Sequence, residues 1–307
     1  MAINYASNAL IEKIRTIGAI PSNSSNFTDA KLAILANDEM QSTVVPLIMM
    51  AKQEYYVTYE DFDITSTSEP TIIPIPSGAI FDKIADLTIA QTNNNITTEL
   101  SVPEISRETL TAGPILTTIY YQNVFGFRIQ DSNIIFYPGT YVNLPQTFLR
   151  LYFYRRPLEL VTTSNAGKIT NINGNILTLS QSPASWAIGN ELQAVSQLPP
   201  FRNTGSFTIT AISNPTITID DSTGLSVGDW VALDGYCPIP QIPVEAMSFL
   251  ISCVVLRVHE AMADEKMTEL AVLKKKELGA MLVNSISPRV DGERQVIQNR
   301  YSLGRRM

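Results

Sequence analysis

Apolar positions along the chain change period twice. Leu10, Ile11, Ile14 and Ile17 recur at helical spacing, so residues 4–17 are predicted to form a short amphipathic helix. Gly18, Pro21 and the polar run at 22–26 end it. Thr28 is a good N-cap for a second helix, with Asp29 in its first turn and Phe27 and Leu32 placed as a hydrophobic staple. Leu32, Leu35, Ala36 and Met40 supply its stripe. Pro46 is expected to kink or break it before the pattern resumes up to Tyr55.

From about residue 57 the pattern favours strands. Residues 59–69 read as polar and irregular, and 72–76 mix Ile with Pro. Strands are predicted at 87–98, 115–121, 125–130, 133–137 and 148–155. In the last, alternation puts Phe148, Arg150, Tyr152 and Tyr154 on one face and Leu149, Leu151, Phe153 and Arg155 on the other. An internal repeat follows at a spacing of about 40 residues. ITNINGNILTL at 169–179 parallels ITAISNPTITI at 209–219, and WAIGNEL at 186–192 parallels LSVGDWV at 225–231. Each unit reads strand, turn, strand, loop and a Gly-Asn or Gly-Asp turn into a third strand. Two such units would bury their apolar faces against each other, although two ordinary hairpins would look alike.

The helical period returns after the proline-rich connector at 238–243. Val244, Met247, Leu250, Ile251, Val254, Val255, Val258 and Met262 form a broad stripe that continues through Met267, Leu270, Leu273, Leu278 and Met281. It spans on the order of 40 residues, about 60 Å of helix, and tolerates a kink near Ala263 and Asp264. Pro288 stops it. The last 21 residues carry five arginines against two acids, a net +3, which leaves -10 for the rest. The fold class is therefore α+β: a helical core with a large inserted β-rich or barrel module and an extended C-terminal arm. The divisions are 1–58 and 237–286 for the helices, 59–162 for a β-rich segment, 163–236 for the repeat-bearing module and 287–307 for the arm.

Composition narrows the chemistry. The chain of 307 residues is 45% hydrophobic and 17% charged, enough apolar material for a core in a chain of two-domain length. A net charge of -7 argues against a free-standing duplex-DNA binder. One histidine, His259, and two cysteines, Cys237 and Cys253, leave no material for His-rich or Cys-based metal sites. No disulfide is expected between the cysteines, because Cys253 lies in a helical pattern. No signal-like or membrane-length apolar run is read, so the expectation is a soluble protein assembled in the cell that makes it.

Candidate chemistry is thin. His259 beside Glu260 reads as a general base or as an ordinary polar-face histidine. Asp220, Asp221 and Asp229 read as a carboxylate cluster for calcium or as turn residues. Lys274, Lys275 and Lys276 read as a phosphate contact or as a solvated run complementing a helix C-terminus. Tyr152, Tyr154, Arg155 and Arg156 mix rings with cations as single-strand binders do, yet the same pattern builds β-cores. Nucleotide-binding glycine loops are absent. Neither catalytic, cofactor nor metal residues are assigned. The arm, with Arg289, Arg294, Arg300, Tyr301, Arg305 and Arg306, reads as a disordered end or as a segment that orders on a partner.

FTDAKLAILANDEMQ at 27–41 followed by VVPLI at 44–48 resembles the start of head-to-tail adaptor (connector) proteins of tailed bacteriophages. FLRLYFYRRP at 148–157 is similar to a strand segment of long adaptor-like phage proteins, and the helix after Pro243 with its arginine arm resembles their returning helix and portal-gripping extension. The resemblance covers roughly residues 5–60, 133–160 and 240–307, and leaves the repeat at 168–235 outside it. It implies a structural virion protein in the neck between capsid and tail, assembled in the host cytoplasm. It further implies a homo-oligomeric ring, usually of twelve copies, that binds portal protein through the arm residues and meets tail or nozzle proteins below. Genomic DNA would pass through transiently, without cofactor, catalysis, membrane or sequence-specific contact. An acidic chain suits such a conduit, because a negative lumen repels phosphates. The alternatives are another virion component with a β-barrel, or a tail hydrolase using Asp61 and Asp63 or Asp220 and Asp221.

Overall fold

A computed structural model describes residues 5–64, 70–93, 96–105, 125–138 and 147–286. The chain is a mixed α and β protein, and its described residues form four apolar clusters.

Helices come from both ends of the described chain. α1 (Ser7–Ile17) buries Leu10, Ile11 and Ile14, and Gly18 ends it by donating to Ile14. α2 (Asp29–Glu39) starts where Thr28 Oγ1 accepts from the Lys31 N–H, and Phe27 and Leu32 both reach the same cluster. Leu35 is only partly buried; the buried face is Leu32, Ala33, Ala36 and Met40. Pro46 does not break the helical run. Its missing N–H is absorbed by a π-helical stretch at Met40–Val44, which runs directly into α3 (Val45–Lys52).

The returning helical segment is two helices, not one. α4 (Met247–Met262) is buried almost all round, as expected of a central helix. Ala263 adopts a left-handed conformation (φ 55°), and Asp264 then caps α5 (Glu265–Ile286) by accepting from the Met267 N–H at 3.1 Å. Both helices join α1, α2 and α3 in one cluster that includes Leu32, Ile48, Leu250 and Val254.

The segment after α3 is more regular than its polar sequence suggests. β1 (Val57–Asp63) pairs along its whole length with β7 (Thr147–Arg155), so residues 59–63 are strand where an irregular stretch is expected. β3 (Ala79–Asn93) lies on the other side of β7 and pairs with β4 (Ile96–Ser101), giving the order β1-β7-β3-β4. The strand expected at 87–98 is thus two strands of a hairpin. A second sheet orders β2 (Thr71–Pro74), β6 (Asn133–Pro138) and β5 (Phe125–Gln130) as β2-β6-β5. The two sheets share one core of Ile73, Leu87, Phe127, Ile134, Phe136, Leu149, Leu151 and Phe153. The strand expected at 115–121 falls outside the described residues.

β8 (Glu159–Leu160) pairs in parallel with β15 (Tyr236–Cys237), side by side at the entrance and exit of the repeat region. Between them β9 (Gly167–Asn173), β10 (Ile176–Leu179), β11 (Glu191–Val195), β12 (Asn203–Ser213), β13 (Thr216–Ile219) and β14 (Trp230–Leu233) close a six-stranded barrel. The repeat is visible in its hydrogen bonds. Gly189 N–H donates to Ile209, and Gly228 N–H donates to Ile169, both at 2.8 Å. Ile209 N–H in turn donates to Asn190, and Ile169 N–H to Asp229. Asn190 and Asp229 each accept from the backbone N–H three residues earlier. Each hairpin also carries a register shift at the matching place, beside Ile169 and beside Ile209. The two glycines have φ of 88° and 103°, a left-handed conformation that side chains resist.

The barrel has a core of its own, including Ile169, Leu177, Leu192, Phe207, Ile217 and Val231. Excising residues 163–235 and joining the ends with a short Gly/Ser linker is expected to keep the helical circular dichroism. Its loss would mean that the helices need the barrel to fold.

Candidate functional site

The arm residues Arg289, Arg294, Arg300, Tyr301, Arg305 and Arg306 lie outside the described residues. The other sequence candidates can be placed. Asp61 is taken by Arg150, whose guanidinium donates to both of its oxygens at 2.8 and 3.0 Å and to Glu99 at 2.7 Å. The Arg150 guanidinium stacks 4.2 Å from the Tyr59 ring centre, and Tyr152 donates its hydroxyl to Glu99. This network uses up one face of β7. Tyr154 packs on the helical cluster.

Asp220 and Asp221 act as turn residues. Asp220 Oδ1 accepts from Thr208 N–H at 2.8 Å and Asp221 N–H at 2.9 Å; Asp221 Oδ1 accepts from Thr223 N–H and hydroxyl. These hydrogen bonds hold both carboxyls below the usual range, the wrong direction for a proton donor. Asp229 accepts from Ser226 N–H and the Thr204 hydroxyl. Among the described residues no group of three or more His, Cys, Asp or Glu could hold a metal ion.

The lysine run sits in the middle of α5, so it does not complement a helix end. Lys274 pairs with Glu277, and Lys275 reaches the buried Glu39 at 3.7 Å. His259 is buried, not on a polar face, and its Nδ1 has no partner among the described residues. It lines an apolar groove of about 560 Å³ between α1, α4 and α5, with Ile17, Val255 and Leu270 on the walls and Lys13 and Lys274 at the rim.

The cysteines are buried and unpaired by disulfide. Burial pushes the Cys237 thiol up to about 12 and the Cys253 thiol up to about 11. Both should resist a thiol reagent at pH 8 until the chain unfolds. Because the folded state holds these protons more tightly, their contribution to stability is full below about pH 9 and is lost as pH rises toward 11–12. A urea midpoint that stays flat from pH 9 to 12 would contradict this.

The clearest surface feature is the outer face of α5. Leu270, Leu273 and Met281 are 55%, 66% and 58% exposed, while Ala271 and Leu282 face the core. The sequence stripe placed those three with the buried positions; the helix turns them outward. A row of exposed apolar side chains on a helix stabilised from one side only is a surface suited to another protein. Its signal in the sequence was an apolar pattern too wide for a single buried stripe. A scan against protein-family models gives no match, and no curated protein matches the chain.

Proposed function

We propose that the chain is a structural assembly protein, a head-to-tail adaptor that forms a ring between the portal and the tail of a tailed bacteriophage and conducts the passing DNA. The uncovered apolar row on α5 carries this reading, since a ring subunit needs side surfaces for its neighbours. Helices from both ends of the chain, sharing one core, would be the adaptor-like body. The barrel would be an addition projecting from it. The arm at 287–307 would bind portal protein, with guanidinium forks meeting carboxylates at about 1–3 kcal/mol each, multiplied by avidity around the ring. Asp61, Asp220 and Asp221 are committed to hydrogen bonds, which disfavours the hydrolase alternative. The closed barrel gives some support to a second reading, a different neck, tail or head-decoration component.

Native mass measurement of the chain, alone and with portal rings, tests the proposal. A ring is expected on portal, near twelve copies. Leu270→Glu with Leu273→Glu should leave a folded chain that no longer completes it. Truncation before residue 287 should abolish portal binding, and full-length binding should weaken as salt rises. A chain that stays monomeric with portal at every salt concentration would end this reading.

A further inference from the structure

The helical body carries two exposed features that match each other. The first is the apolar groove of about 560 Å³ between α1, α4 and α5, walled by Ile17, Val255 and Leu270. Ile17 and Leu270 are both exposed, so its mouth is open. Lys13 and Lys274 stand at its rim. Lys274 shares its charge with Glu277, and Lys13 makes no ion pair among the described residues.

The second is a ridge on α2. Leu32 and Ala36 face the core, and Ile34 and Asp38, one turn apart, lie on the opposite side of the helix. Ile34 is 59% exposed. Asp38 is exposed too, and its carboxylate has no partner among the described residues. The neighbouring charges are occupied: Lys31 is turned to the Ser25 carbonyl at 3.4 Å, and Asp29 is held by Arg15. Ridge and groove lie on nearly opposite sides of α4. Residues two apart on a helix are about 200° round its axis. Val255 and His259 line the groove, whereas Arg257 between them reaches Glu39 at the end of α2.

We propose that copies of this chain join ridge to groove, the α2 ridge of one seated in the α1–α4–α5 groove of the next. Ile34 lies on Ile17 and Leu270, and the Asp38 carboxylate meets the Lys13 and Lys274 ammonium groups. Charge selects this pairing. Groove against groove would set Lys13 and Lys274 against the same lysines, and ridge against ridge would set Asp38 against Asp38. Ridge in groove brings opposite charges together around two apolar surfaces. Such a contact is heterologous: copies add head to tail, and a free ridge and a free groove remain until the series closes on itself. Two surfaces on opposite sides of the subunit are what that geometry needs. Closure into a ring rests on the adaptor reading; the pairwise contact does not.

The test is zero-length cross-linking of the full chain, mixed from light- and heavy-nitrogen preparations at about 1 mM, where contacts with Kd up to that value are populated. A water-soluble carbodiimide activates a carboxylate, and a touching lysine amine displaces it. An amide bond forms, and the carbodiimide leaves as its urea, having taken up the elements of water. Peptides of mixed isotope joined from Asp38 to Lys13 or Lys274 are expected. Ile34→Glu and Leu270→Glu change exposed positions and should leave the thermal midpoint within a few degrees. Each should reduce the cross-link about tenfold. Mixing the two variants should restore it in one direction, from Asp38 of the Leu270→Glu chain to a lysine of the Ile34→Glu chain. No Asp38 cross-link between chains, or undiminished cross-linking in the variants, would overturn the pairing. So would a cross-link to the groove lysines from Glu54, one turn after the exposed Met50, which would seat α3 in the groove instead. A ring on portal without the Asp38 cross-link would sink the pairing and leave the adaptor reading standing; the cross-link without a ring on portal would do the reverse.

Discussion

Val254→Asp is expected to abolish the cooperative fold. Val254 is fully buried in the centre of α4, inside the cluster shared by α1 to α5. An aspartate there loses the transfer energy of the valine, about 1.5–3 kcal/mol, and adds an unpaired charge that costs several kcal/mol more. Domains of ordinary stability have only about 5–15 kcal/mol in hand, so most of the variant should be unfolded or insoluble. Leu35→Asp should be milder, because Leu35 is at the edge of the cluster. Leu273→Asp is the control: it faces solvent and should shift the thermal midpoint by no more than a few degrees. A soluble, cooperatively melting Val254→Asp protein would refute the packing described for α4.

The second large effect is expected at Glu39, a buried carboxylate where α2, α4 and α5 meet. Arg257 Nε donates to its Oε1 at 2.5 Å, the Thr43 hydroxyl donates to Oε2 at 3.0 Å, and Lys275 Nζ lies 3.7 Å away. Arg257→Met leaves the carboxylate with only the hydroxyl and the more distant lysine, and should cost about 3 kcal/mol in urea denaturation. Glu39→Leu alone should cost less, since the half-exposed Arg257 regains water. The double variant should recover most of the Arg257→Met loss, because no buried charge is then left unpaired. Losses that simply add would show that the two residues act independently.

Much of the local structure was legible in residue types. The Thr28 cap, the alternation of β7 and both halves of the repeat follow from spacing alone, because each is decided by neighbours within a few residues. Errors arose where tertiary contacts overrode local pattern. β1 reads as polar because its outward Tyr59 and Asp61 serve the Arg150 network, and its partner strand lies about 90 residues away. The division between α4 and α5 needed the left-handed Ala263, a conformation that sequence rarely announces for alanine. The polar surface shared by β7, β11 and β12 was the least legible feature. Arg155, Gln193 and Asn203 come from three separate strands, and nothing in their spacing ties them together before the barrel closes.

The reciprocal glycine and isoleucine hydrogen bonds of the barrel have a consequence for its ancestry. Each half presents to the other the same donors and acceptors that it receives. A half therefore carries, in its own sequence, what is needed to complete a second copy of itself. Two identical chains of about 40 residues could close the same six strands as a dimer. Joining them in tandem removes the entropy of bringing two molecules together and frees the halves to diverge. The halves differ where Asn190 of one turn corresponds to Asp229 of the equivalent turn in the other half. The barrel thus has the internal symmetry of a two-fold dimer within one chain, with its two ends side by side.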